Sequence, residues 1–208
     1  MANGSRRNYT RAQLAYLAAR IMAQDGVNDF AAAKRKAARQ AGMSDTKQLP
    51  DNREIEEALR TYQALYQSEA HGEALLRLRR LAVQAMELLA TFNPHLLGPV
   101  LAGTAGEHSD IDLQLFSDSD KDLELFLLNR QITYQSGSRK IRWGDRQRTV
   151  PFFSIPLEGA LVNVTLLATD DLRVSQKHKS DGRPVERAKL AQVKALLEAS
   201  DATGHPAP

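Results

Sequence analysis

The sequence predicts an α+β fold: a mixed β-sheet flanked by helices, behind an α-helical N-terminal extension. Three observations lead there. Apolar residues recur at helical spacing through the first 92 positions, and the texture changes at Asn93-Pro94. Beyond that point, short apolar and alternating segments are interleaved with helical ones and followed by a terminal helix.

Taken in order, residues 9–25 carry Leu14, Leu17 and Ile21 at helical spacing and stop at Gly26. Asn28 and Asp29 are cap residues for a second helix over 30–41, closed by Gly42. Residues 43–52 are polar and include Pro50, so they read as a loop. Asp51, three residues before Glu54, is a capping-box start for a third helix reaching about Gln67. After His71-Gly72, residues 73–92 form a longer helix. Its Leu75, Leu78, Leu81, Met86 and Leu89 make a face apolar enough to pack on a sheet.

Past Asn93-Pro94, the apolar run 96–102 ends in Gly103, the pattern of a short buried strand. Residues 111–116 alternate, with Ile111, Leu113 and Leu115 on one side and Asp112 and Gln114 on the other, in line with Asp110. A helix over 118–129 has acidic residues at its start, where the helix dipole favours them. Strands follow over 132–135, 139–143, 146–155 and 161–167, with a hairpin turn at Gly144-Asp145, and then a helix over 184–199. The expected division is a helical region over 1–70, an α/β domain over 71–199 and a flexible tail over 200–208.

The bulk numbers bound the chemistry. With 208 residues and 42% hydrophobic content the chain can build a real core, which rules out wholesale disorder. It has no cysteine, so disulfides, thiolate zinc sites and cysteine nucleophiles are excluded. There is no apolar run of membrane-spanning length and no signal-peptide core at the start. The expectation is therefore a cytoplasmic protein with no membrane partner. A net charge of +3 permits contact with a polyanion without requiring it.

The segment with chemical content is Gly98-Pro-Val-Leu-Ala-Gly-Thr-Ala-Gly-Glu-His-Ser-Asp-Ile-Asp-Leu-Gln-Leu-Phe116. Glycines in the turn Gly103-Thr104-Ala105-Gly106 allow main-chain N–H groups to approach an anion, and the Thr104 hydroxyl adds a donor. Asp110 and Asp112, two apart along a strand, send both carboxylates from one face. Hard oxygens in such a pair suit Mg²⁺, which completes its shell with water and substrate phosphates.

A Gly-Thr turn followed by Ser109-Asp110-Ile111-Asp112-Leu113 resembles the signature of the polymerase-beta-like nucleotidyltransferase superfamily. The strict motif spans about a tenth of the chain, and the element order extends the similarity over residues 73–167. The whole chain also resembles small bacterial nucleotidyltransferase-like proteins with a basic helical front end. The resemblance implies a nucleotidyltransferase-like sheet with Gly103 and Thr104 on the triphosphate of a nucleoside triphosphate. It also implies that Asp110 and Asp112 are the catalytic metal ligands, with Mg²⁺ as cofactor.

Two departures stand against it. The spacer from Gly103-Thr104 to Asp110 is short. The family also places a third carboxylate on a later strand. Here the outward positions of the 161–167 strand are Asn163 and Thr165, neither an acid. Asn163 can offer an amide oxygen to a metal or substrate but cannot serve as a general base. Either Glu158, Asp170 or Asp171 supplies the missing charge from a loop, or the site binds nucleotide without transferring it.

Other features have plainer readings. The basic hairpin 138–148 offers Lys140, Arg142, Arg146 and Arg148 to a triphosphate or a nucleic-acid backbone, with Trp143 for stacking. Alternating charge on a solvated hairpin explains the same pattern. The Lys34-Arg35-Lys36 helix, a second nucleic-acid candidate, has Glu54, Glu56 and Glu57 available to pair with it. His108 in its loop is incidental. Two functions therefore stand. One is Mg²⁺-dependent transfer of a nucleoside monophosphate to a hydroxyl acceptor that the sequence does not identify. The other is a catalytically degenerate relative that binds nucleotide or nucleic acid in a regulatory role.

Overall fold

The computed structural model describes residues 11–25, 27, 29–42, 49–66, 68–143, 146–174 and 184–203. The chain divides into two compact units, Met1–Glu69 and Ala70–Pro208.

The first unit holds three helices, α1 (Arg11–Asp25), α2 (Phe30–Gln40) and α3 (Asn52–Tyr66). Its core is built from Ala15, Ala18, Ala19, Ile21, Ala33, Ala37, Ile55 and Leu59. Small side chains at the contacts let helix axes approach closely. The caps form as the sequence predicts. Asp29 accepts the Ala31 N–H at 2.9 Å. Asp51 and Glu54 bond each other's backbone N–H groups, at 2.9 and 2.6 Å. Within the basic cluster of α2, Lys36 pairs with Asp25 at 2.8 Å.

The second unit is a mixed α+β structure. It contains α4 (Ser68–Leu88), β1 (His95–Leu97), α5 (Gly98–Ala102), β2 (Ile111–Phe116), α6 (Asp120–Asn129) and β3 (Gln135–Trp143). These are followed by β4 (Arg146–Leu157), β5 (Ala160–Leu167), β6 (Ala188–Lys189) and α7 (Leu190–Thr203). The six strands lie in the order β3-β4-β5-β2-β1-β6. β2 and β5 run parallel and the other neighbouring pairs antiparallel.

Period-two alternation gives the sheet two unlike faces. Ile111, Leu113 and Leu115, Val162, Val164 and Leu166, and Phe153 and Ile155 form one core with Leu75, Leu78, Leu81, Met86 and Leu89 of the α4 region. Leu123 and Leu127 of α6 join it. Each such buried side chain contributes roughly 1.5–3 kcal/mol. The other face carries Asp112, Gln114, Asn163, Thr165, Ser154 and Phe152 in lateral register. Toward its far end lies a small apolar cluster of Phe116, Ile141, Val150 and Leu167.

Several boundaries differ from the sequence-based expectation. The run 96–102 is not one strand: β1 ends at Leu97 and α5 begins at Gly98, with Pro99 in the first turn, where a missing N–H costs nothing. α4 runs straight through His71-Gly72. Gly72 is buried there, within the helix despite its poor helix propensity. Residues 132–134 are not a strand, because the Ile132 N–H returns to the Leu127 carbonyl at 2.9 Å and closes α6. Residues 188–189 pair with β1, so the last helix starts at Leu190 and extends to Thr203. The Gly144-Asp145 turn and residues 204–208 lie outside the described residues. Among the described residues, no helix is long and apolar enough to cross a membrane.

Candidate functional site

The acid pair sits at the entrance of β2. Ile111 is fixed in the core, so the residues on either side of it, Asp110 and Asp112, project from the opposite face of the sheet. Parallel pairing puts Asp112 beside Asn163 of β5, and antiparallel pairing puts Asn163 beside Ser154 of β4. A polar chain follows. Ser154 Oγ donates to Asn163 Oδ1 at 3.2 Å, and Asn163 Nδ2 donates to Asp110 Oδ2 at 3.0 Å. Asn163 therefore orients Asp110, while its own amide oxygen is engaged by the serine.

Asp112 is the more confined carboxylate. Among the described residues, no hydrogen bond reaches its oxygens. Burial pushes its pKa up to about 6, against the pull of Arg139 and with a further push from Asp110. Gly98, the first residue of α5, lies against it. A methyl group on Gly98 would come within 2.7 Å of Asp112 Oδ2, and φ there is +74°. Glycine is required for both reasons.

Arg139 reaches this face from β3. Its Nη1 donates to Thr165 Oγ1 at 3.2 Å, and its guanidinium carbon lies 4.8 Å from the centre of the Phe152 ring. The basic residues singled out from the hairpin sequence are placed differently. Arg148 pairs with Asp171 at 2.6 Å, and Lys140 and Arg142 alternate to the opposite face from Arg139.

Gly103 and Thr104 do not end a strand and do not form an open cradle. Gly103 has φ +78° as the left-handed cap that closes α5. The N–H groups of Gly103, Thr104 and Ala105 all point to the Pro99 carbonyl. The Gly106 N–H is taken by Ser109 Oγ at 3.0 Å. These amides are committed to the turn, and the Gly103 carbonyl meets His71 Nε2 at 3.2 Å. The glycine next to the acids is Gly98. The sequence signal for it was a glycine before proline directly after a short apolar run.

The loop acids do not complete the pair. Asp171 is held by Arg148 beyond the other end of β5. Glu158 lies in the β4–β5 turn, where its carbonyl accepts from Arg77 of α4 at 2.5 Å. Among the described residues, no group of three or more carboxylate or histidine side chains is placed to hold a metal. A cavity of about 720 Å³ lies at the exit of β2, lined by Phe92, Ser117, Asp118, Ser119, Asp122 and Phe126 among others. It is removed from the acid pair, which lies on the polar sheet face at the opposite end of the strand. Within that cavity Thr169 donates to Asp118 and lowers its pKa.

No family model and no curated protein matches this chain. A solved structure described as "structure of GLD-2/RNP-8 complex" is similar to it at 18% identity and a TM-score of 0.30. The similarity covers 70% of this chain and 53% of the other, so the chain spans about half the length of that neighbour.

Proposed function

We propose that this chain is a polymerase-beta-like nucleotidyltransferase relative whose Asp110 and Asp112 bind a nucleoside triphosphate through Mg²⁺, with little or no transfer activity. The observation behind it is the hydrogen bond from Asn163 to Asp110 at 3.0 Å. An amide occupies the strand position where the resemblance calls for a third carboxylate.

The donor set suits one magnesium ion. Asp112 is a half-buried carboxylate with no hydrogen-bond donor among the described residues, and Asp110 accepts one such bond. Two carboxylates with water and phosphate oxygens are an ordinary Mg²⁺ shell. When bound, such an ion neutralises phosphate charge. The residues fit a second ion and a general base poorly, because an asparagine cannot accept the proton of an attacking hydroxyl.

The rival reading is a working transferase, favoured by the intact Asp110/Asp112 pair. The test is calorimetric titration of nucleoside triphosphates with and without Mg²⁺, alongside a pyrophosphate-release assay, on the natural chain and on Asp110→Ala/Asp112→Ala. Mg²⁺-dependent binding weakened about tenfold or more by the double substitution supports the proposal. Pyrophosphate release above the double variant's level transfers support to the enzyme. Absence of nucleotide binding by the natural chain removes both.

A further inference from the structure

We infer that Arg139 is the polyphosphate-recognising arm of this face and takes the terminal phosphates of a chain whose metal-bound end sits at Asp110 and Asp112. The inference rests on the nucleotide-binding reading for the identity of the ligand, but not for the anion site itself.

Four observations lead to it. Lateral register runs Asp112–Asn163–Ser154 in one row and Gln114–Thr165–Phe152 in the next. Arg139 stands opposite Val150 one row further along, and leans back to reach Thr165 and Phe152. The guanidinium is thus brought toward the acids instead of extending past the edge of the sheet. It is also held in place, because the Thr165 bond and the Phe152 ring restrain a side chain that is otherwise rich in rotamers.

Third, the restraint leaves it able to bind. A guanidinium has five N–H donors in a planar fork, and the bond to Thr165 uses one. That fork matches phosphate oxygens in a bidentate way. Fourth, Arg148 is paired with Asp171, and Lys140 and Arg142 belong to the other face. Among the described residues, no atom lies within 4 Å of where a Cβ on Gly137 would stand, beside Arg139 on the same face, which leaves room for an approach there.

A cation held across a sheet face from two carboxylates matches a ligand that is itself divided. One end must be bound through a metal and the other must meet the arginine directly. A nucleoside triphosphate with Mg²⁺ fits that arrangement; a nucleoside or monophosphate reaches only one end.

The experiment is a binding ladder with Mg²⁺: nucleoside, mono-, di- and triphosphate, and inorganic tripolyphosphate as a base-free probe. It compares the natural chain with Arg139→Met, Arg139→Gln and Arg139→Lys. Affinity should climb with phosphate number in the natural chain. Arg139→Met and Arg139→Gln should flatten the climb, weakening triphosphate and tripolyphosphate about tenfold while leaving the monophosphate nearly unchanged. The lysine variant should restore part of it. Neither uncharged variant keeps the full reach to Thr165, so the lysine variant is the control: a loss shared by Arg139→Met and Arg139→Gln that lysine partly reverses is due to charge and not to lost packing. A natural chain that ignores tripolyphosphate, or a climb untouched by Arg139→Met and Arg139→Gln, overturns the inference. Tripolyphosphate bound through Arg139 without preference for nucleotides keeps this inference and sinks the nucleotide reading. Nucleotide binding with an Arg139-independent climb does the reverse.

Discussion

At the scale of single residues, Asp112 faces opposed demands from stability and from ligand binding. Its folded pKa of about 6 lies above the ordinary 3.8, so the folded chain holds that proton more tightly than the unfolded one. The group's contribution is therefore most favourable below the unfolded pKa, and stability falls as pH rises between roughly 4 and 6. Asp112→Asn should stabilise the chain by on the order of 2–3 kcal/mol near neutral pH and by little at about pH 4, measured by urea unfolding. Divalent-cation affinity should move the other way, dropping as pH falls through about 6, which titration calorimetry at several pH values reads directly. Gly98→Ala combines a left-handed φ with an intruding methyl group. It should cost about 1–3 kcal/mol in thermal or chemical unfolding and weaken cation binding by displacing the Asp112 carboxylate. The Asp110/Asp112 pair was legible because period-two geometry is local. Arg139 was not, since its role depends on a hydrogen bond to Thr165, 26 positions away, and on which side of an edge strand it emerges.

At the scale of elements, legibility followed how much each element depends on its own sequence. α2 and α3 start where their caps predicted, because Asp29, Asp51 and Glu54 act on N–H groups within three residues. Asp51→Ala should cost α3 about 0.5–2 kcal/mol, visible as an earlier denaturant midpoint. Glu54→Gln should cost less, because a glutamine oxygen still accepts the Asp51 N–H. The run 96–102 was ambiguous for a physical reason. So short an apolar run has no period, and only Pro99 marks where a strand gives way to a helix. That ambiguity shifted attention from Gly98 to Gly103. The third-carboxylate position was readable by counting outward residues on β5, while the bond from Asn163 to Asp110 needed the pairing of β2 with β5.

At the scale of the whole molecule, the α+β class came from texture alone: helical periods first, strand periods later. Strand order was not recoverable, since β6 inserts beside β1 from more than 90 positions downstream. The second unit has its own apolar core, drawn from residues 75–193. Residues 70–208 expressed alone should fold cooperatively, with dispersed NMR spectra and a single thermal transition. If residues 139, 110 and 112 carry nucleotide binding, that fragment should keep the affinity of the full chain. A tenfold loss would mean that the helical unit contributes to the site.

The parallel pairing of β2 with β5 has a kinetic consequence. Asp110 and Asn163 lie 53 positions apart, and the chain between them, which holds the α6 helix and the β3–β4 hairpin, must be looped out for them to meet. Such closure is slow relative to forming hairpins and helix turns, because its entropic cost precedes any reward. During refolding, then, backbone protection in α6 and the hairpin should appear first. The capacity to capture a divalent ion should emerge only with the last cooperative phase, so ion binding would time the docking of β5.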